Sequence, residues 1–214
     1  MSRVVKKIVI LGSGTAGLMA AASLRKHVPD IFVTILQSKD IPIIGVGEGT
    51  TLTVTDHLHD YLKVPAAMFF DVARPTWKLG IRFNWGPRKS FYYPFVASVD
   101  AYVPGVPHPI GFYSGEKLDY VDPWSALMKH DKAFPRSPQG APIMAGRKFA
   151  YHFENEKLVD FMERYTSGLG VHKMEGTVVN VRRDDFGVTG LVLKSGEIVE
   201  ADLFVDSSGF VSTL

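Results

Sequence analysis

Gly12-Ser13-Gly14-Thr15-Ala16-Gly17 stands directly after residues 4–11 (VVKKIVIL) and runs on into Leu18-Met19-Ala20-Ala21-Ala22. The first of these flanks, apolar and β-branched past its lysines, reads as a strand buried on both faces. Thr15 to about Val28 reads as a helix that turns Leu18, Ala21, Ala22 and Leu24 inward and closes at Pro29. Between strand and helix, Gly12 permits a tight turn, Gly14 lets the backbone approach a pyrophosphate, and Gly17 lets helix and strand pack closely. The unpaired N–H groups and positive end of the helix then face an anion. Ser13, Thr15 and Ala16 complete the expected cofactor-binding loop. A glycine turn that merely packs is the competing reading, and the strand–loop–helix context favours dinucleotide binding.

Ile31 to Leu36 is the next β-branched run, which makes the opening a β-α-β unit with a parallel pair. A nicotinamide-dinucleotide fold would place an acid at the end of that second strand, for the ribose hydroxyls. Gln37 stands there instead; it can hydrogen-bond hydroxyls without carrying charge. Towards the other end of the chain, short strands around 177–181, 189–193 and 198–199 are punctuated by Asp184-Asp185-Phe186-Gly187 and Lys194-Ser195-Gly196-Glu197 turns. Ala201-Asp202-Leu203-Phe204-Val205-Asp206-Ser207-Ser208-Gly209 reads as a buried strand entering a tight turn. A hairpin layer followed by a returning strand and a glycine is the layout of two-dinucleotide-fold flavoproteins, so FAD is favoured over NAD.

The intervening sequence is less regular. Residues 51–62 carry Leu52, Leu58, Tyr61 and Leu62 at loosely helical spacing, and Pro65 suits the first position of a short helix through Met68, Phe69 and Val72. Residues 76–85 alternate, with Trp77, Leu79, Ile81, Phe83 and Trp85 on one face and Lys78, Gly80, Arg82 and Asn84 on the other. Nine of the 13 prolines fall between Pro87 and Pro142 among many aromatics, which suggests an ordered segment walling a pocket rather than a linker. Pro123 there fits a helix start. Leu158, Phe161, Met162 and Tyr165 then mark one face of a helix ending at Gly168. The resulting organisation is 1–85 (β-α-β core, glycine-rich loop and lysine-bearing strand), 86–150 (substrate-side segment) and 151–214 (helix, hairpin layer, returning strand).

Composition narrows the chemistry. The 214 residues hold no cysteine, which excludes a disulfide framework, a thiolate nucleophile and Cys-ligated metal. A net charge of +2 gives no footprint for nucleic acid. No apolar run approaches the roughly 18 residues of a membrane span, and a cytoplasmic location is the default expectation. His57 and His59 are two apart, a spacing unsuited to a shared metal on a helix.

Five blocks together carry a resemblance. GSGTAGLMAA (12–21), TILQSKDIPIIGVGEGT (34–50), WKLGIRFNWG (77–86), YHFENEKLVDFM (151–162) and ADLFVDSSGF (201–210) resemble, in this order, the flavin-dependent tryptophan halogenases. The resemblance implies an FAD-binding Rossmann-like α/β fold. It also implies an oxidoreductase: reduced FAD, delivered by a separate flavin reductase, reacts with oxygen to a flavin hydroperoxide, and halide converts this to hypohalous acid. That oxidant attacks a small electron-rich aromatic, an indole-type substrate. Lys78 would be the catalytic residue that positions the oxidant as an ammonium donor or takes the halogen as a free amine. From alternation alone, a solvated strand face is the favoured reading of Lys78, and the surrounding block reverses that preference. Gln37, Asp40, Gly45, Gly47, Glu48 and Thr50 would contact the cofactor, and Val178 would meet the adenine through its backbone. Glu48 has a second reading as a cap of the adjoining helix. No metal site is expected, and a homodimer is possible.

The chain departs from the family in several places. The halogenases are about twice its length, and their WxWxIP block, second flavin-binding glycine segment and halide site lie beyond the matching region. The chain therefore reads as an N-terminal part, inactive by itself, with exposed apolar surface on its hairpin layer. Gly49 replaces the usual alanine of GVGEAT, and Thr51-Leu52 replaces the frequent Ile-Pro. Two other functions fit the same fold: an FAD monooxygenase, and a nucleotide-binding module without activity.

Overall fold

β1 (Lys7–Leu11) lies inside a four-stranded, wholly parallel sheet of order β12-β1-β2-β8, with β2 at Phe32–Gln37, β8 at His172–Glu175 and β12 at Leu203–Asp206. This computed structural model describes residues 4–42, 46–86, 89–95, 123–143 and 149–214. Its contacts divide the chain into two units. One comprises Met1–Gly47, Leu62–Arg74 and Phe153–Leu214; the other comprises Glu48–Tyr61 and Pro75–His152.

In the first unit the parallel sheet is covered on both faces, which is why β1 is apolar at consecutive positions. On one face α1 (Thr15–His27) packs with α5 (Asn155–Gly168), and Ile10 lies beneath Gly17 of α1. On the other, Val9, Leu11 and Leu36 meet Leu191, Leu193 and Val199 of an antiparallel layer. That layer has the order β11 (Ile198–Glu200), β10 (Gly187–Leu193), β9 (Val178–Asp184). Each such Leu or Ile, withdrawn from water, contributes roughly 1.5–3 kcal/mol. The helix–sheet–hairpin sandwich is thus the one expected. α3 (Ala66–Ala73) docks on α5 through Phe69 and Phe161, whose rings meet edge-on at 5.1 Å.

Three local expectations change in this unit. Pro65 caps α3 instead of opening it, because its ψ of 123° is extended. β12 is not buried: Leu203 is 46% exposed, since among the described residues β12 forms the sheet's edge and pairs with β1 alone. The hairpin is longer than expected and turns on Asp185-Phe186, with Gly187 at φ +127°. That turn leaves Phe186 95% exposed, and Phe210 near the chain end is 98% exposed.

The second unit is built on β3 (Gly47–Gly49), β7 (Ala150–Glu154) and β4 (Thr76–Lys78), with β7 central. β5 (Gly80–Phe83) and β6 (Phe91–Pro94) form a separate antiparallel pair. The single strand expected over residues 76–85 is therefore broken at Leu79, which is buried, and its two pieces take different partners. Gly80 permits this, because any side chain there would strike the Tyr93 carbonyl. Trp85, on the apolar face of the expected strand, is 62% exposed and rests on Phe83 and Phe91. α2 (Leu52–Thr55) widens into a π-helical turn at Asp56–Tyr61. α4 (Pro123–Lys129) begins at its proline as expected. Much of the proline- and aromatic-rich wall, residues 96–122, lies outside the described residues. Among the described residues no helix is long and apolar enough to cross a membrane.

Candidate functional site

The glycine loop occupies the C-terminal ends of β1 and β2, where open α/β sheets bind ligands. Gly12 has φ +108°, its N–H donates to the Leu36 carbonyl at 2.9 Å, and a side chain there would strike the Ser207 carbonyl. Gly17 packs so tightly that any side chain would strike the Gly12 carbonyl. Gly14 differs from both: no described residue lies within 4 Å of the place a side chain would occupy. Gly14 caps α1 with extended backbone, no side chain among the described residues caps the helix, and its first turn holds no acid. The helix end is therefore left with open space above Gly14 and amide donors for an anion. Ser13 is half-buried and Ala16 exposed along this loop. Thr15 is anchored instead, its hydroxyl donating to Asn155 Oδ1 at 2.7 Å.

Gln37 ends β2, and its carbonyl accepts the Gly176 N–H at 2.8 Å. The exposed Asp40 carboxylate accepts the Thr177 hydroxyl at 2.9 Å and lies 3.4 Å from Lys194 Nζ; these two partners, Thr177 foremost, hold it below the usual carboxylate range. Asp40 thus ties the end of β2 to the hairpin layer. Val178 is half-buried at the first position of β9, opposite Leu193. Asp206 follows the same logic at the end of β12. Burial pushes its carboxyl up, but the Ser208 hydroxyl and the Leu214 and Ser208 amides bind the charged form and bring it below the ordinary range.

The GVGEGT block enters β3. Gly45 lies outside the described residues, Gly47 and Glu48 are strand residues, and Thr50 follows the strand. Thr51, not Glu48, holds the cap position of α2. Within the second unit, Thr50 is fastened to Tyr151: its N–H and hydroxyl donate to the Tyr151 carbonyl at 2.9 and 3.1 Å, and the Tyr151 N–H donates to the Thr50 hydroxyl at 2.9 Å. Lys78, the last residue of β4, donates from Nζ to the Thr50 carbonyl at 2.9 Å and lies 5.3 Å from the Phe95 ring centroid. Its side chain is half-buried, not solvated, and this desolvation pulls its amine below the ordinary lysine range. Lys78 and Thr50, far apart in the chain, are thus brought together.

The two faces of the β3-β7-β4 sheet differ. Lys78 opposes Ala150 and Thr76 opposes His152, so these side chains share one face. Trp77 opposes Tyr151 on the other, where Trp77 packs on Phe134 and Phe149, each at 5.3 Å. His59 Nε2 lies 2.8 Å from the Tyr151 hydroxyl on that aromatic side. His57 stacks on Tyr61, and no group of histidines and acids among the described residues could hold a metal. Arg82, on its separate strand, is exposed and lies over Tyr92. His152 was not singled out by the sequence. Its one signal is the outward position in the buried–exposed alternation of Tyr151-His152-Phe153-Glu154, which does not reveal that Lys78 shares its face.

Comparison with known proteins bears on this arrangement. A family model described as tryptophan halogenase matches residues 7–214. The chain is 32% identical to tryptophan 7-halogenase RebH of Lentzea aerocolonigenes, over 98% of this chain and 43% of that protein. Among solved structures, it matches MibH, a tryptophan 5-halogenase, with a TM-score of 0.86 and 34% identity over 98% of this chain and 40% of the other. It also matches Xcc4156, a flavin-dependent halogenase from Xanthomonas campestris, with a TM-score of 0.74 and 28% identity over 98% and 43%. The chain spans less than half the length of each.

Proposed function

The chain belongs to the tryptophan halogenase family, and from that premise we propose that it serves the flavin-dependent halogenation of a small electron-rich aromatic, with an indole as the leading substrate class. The residues of the glycine loop fit FAD: the space above Gly14 is of the kind a diphosphate needs, and the uncapped end of α1 supplies amide donors. Gln37 suits the ribose hydroxyls, and Asp40 acts indirectly by holding the hairpin layer on which Val178 sits. Reduced FAD from a separate reductase, with oxygen and a halide ion, supplies the hypohalous oxidant.

Lys78 carries the reading. A half-buried ammonium, held by one N–H on the Thr50 carbonyl, keeps further N–H donors for the oxygen of a hypohalous acid. Donation to that oxygen polarises the O–halogen bond and leaves the halogen as the electrophilic end, aimed at the aromatic ring. Partial desolvation strengthens this interaction by lowering the local dielectric.

The test is a reaction of the full-length protein with FAD, a flavin reductase, oxygen, bromide and a panel of indoles, read by mass spectrometry. Brominated product is expected. Lys78→Ala should abolish it while reduced flavin continues to be consumed. Hydroxylated product with unchanged turnover in Lys78→Ala would overturn the reading in favour of a monooxygenase.

A further inference from the structure

Lys78 Nζ and the His152 ring converge over Gly49. A side chain at Gly49 would place its first carbon 3.1 Å from Lys78 Nζ, 3.1 Å from His152 Cδ2 and 3.3 Å from His152 Nε2. Both nitrogens therefore border one point, and their separation cannot exceed the sum of those distances. The strand register independently places Lys78 and His152 on the same sheet face. Phe95 lies near Nζ, and the Thr50 carbonyl accepts one of its N–H groups.

We propose that His152 is a positioning residue for Lys78: as a neutral imidazole it tolerates the ammonium against the Thr50 carbonyl, and as an imidazolium it drives the ammonium off. Two positive charges at this spacing repel in a partly desolvated setting, whereas a neutral ring costs the ammonium nothing. Partial desolvation of the ring, although its residue stands at an exposed position of β7, and then the nearby Lys78 charge hold His152 below the ordinary histidine range, so the neutral form prevails near neutral pH. The charged group facing His152 from β4 is Lys78, and β3 presents Gly49, which has no side chain. On β7 itself Ala150 is uncharged and Glu154 is ion-paired with Lys157 at 2.9 Å. The inference rests on the reading of Lys78 as the group that aims the oxidant.

The experiment is an NMR pH titration of the His152 ring in the full-length protein and in its Lys78→Met variant, followed by the pH profile of bromination in wild type and in His152→Gln. His152 is expected to titrate at a higher pH once the lysine charge is gone. Wild-type bromination is expected to fall on the acid side as His152 protonates. His152→Gln, which cannot titrate, should brominate with a pH profile that has lost that acid limb. An unchanged His152 titration in Lys78→Met, or an acid limb that persists in His152→Gln, would overturn the proposal. Coupled titration without any brominated product would sink the halogenase reading and leave the pair standing. Product formation without coupling would do the reverse.

Discussion

Lys78 Nζ and the Thr50 carbonyl oxygen, 2.9 Å apart, join two sequence blocks that are separated by the whole of α2 and α3. The lysine is placed by a backbone acceptor, and that backbone is in turn held by the Thr50 hydroxyl on Tyr151. Thr50→Val keeps the shape and deletes the hydroxyl, leaving the Tyr151 N–H without this acceptor. A loss of about 1–3 kcal/mol is expected in a urea titration. Bromination should fall as well, because Lys78 loses a fixed support. An unchanged urea midpoint would contradict this.

Gly14 and Gly17 should respond oppositely to alanine. At Gly14 the added methyl enters open space, so the melting temperature should hold while flavin affinity falls by about tenfold or more, equivalent to at least 1.4 kcal/mol. At Gly17 the methyl strikes the Gly12 carbonyl, and stability itself should drop by about 1–3 kcal/mol. Parallel thermal melts and flavin fluorescence titrations separate the two outcomes. A Gly14→Ala protein that binds flavin normally would remove the loop from the site.

Tyr151 is 2% exposed, and burial pushes its phenol from 10.0 to about 12. The folded protein therefore holds this proton at a pH where the unfolded chain releases it. The stabilisation is complete below about pH 10 and is lost as pH rises through about 12. Tyr151→Phe removes the contact with His59, at a cost of about 1 kcal/mol near neutrality. Urea midpoints measured from pH 9 upward should show the gap between wild type and variant narrowing. A constant gap would show that the phenol titrates normally.

Phe186 and Phe210 stand almost wholly in solvent. Replacing each with Ser should change stability by no more than about 0.5 kcal/mol. Light scattering at raised protein concentration should nevertheless show reduced self-association, because two exposed aromatic faces are gone. A large drop in melting temperature would mean that either ring is buried in solution.

The β-α-β opening was legible because every signal in it is local: an apolar run, three glycines at fixed spacing, a 3.6-residue helix pattern. The hairpin layer was legible for the same reason, through Asp184–Gly187 and Lys194–Glu197. Lys78 was legible only by family resemblance. Its burial depends on the pairing of β4 with β7, strands remote in sequence, and alternation alone placed it in solvent. The break at Leu79 escaped because an uninterrupted period of two cannot say where a strand changes partner. His152 escaped for a related reason: its neighbour is set by register. The π-helical turn at Asp56–Tyr61 carries no distinctive sequence pattern beyond ordinary helical spacing.

The two-sided character of β7 makes this stretch intolerant of length change. Deleting or inserting one residue within 149–152 would invert its pleat, sending a phenol towards the ammonium and an imidazole into the indole and phenyl stack. Side chains can therefore be exchanged here one at a time, but a single-codon indel would exchange the Lys78 side for the aromatic one in one step.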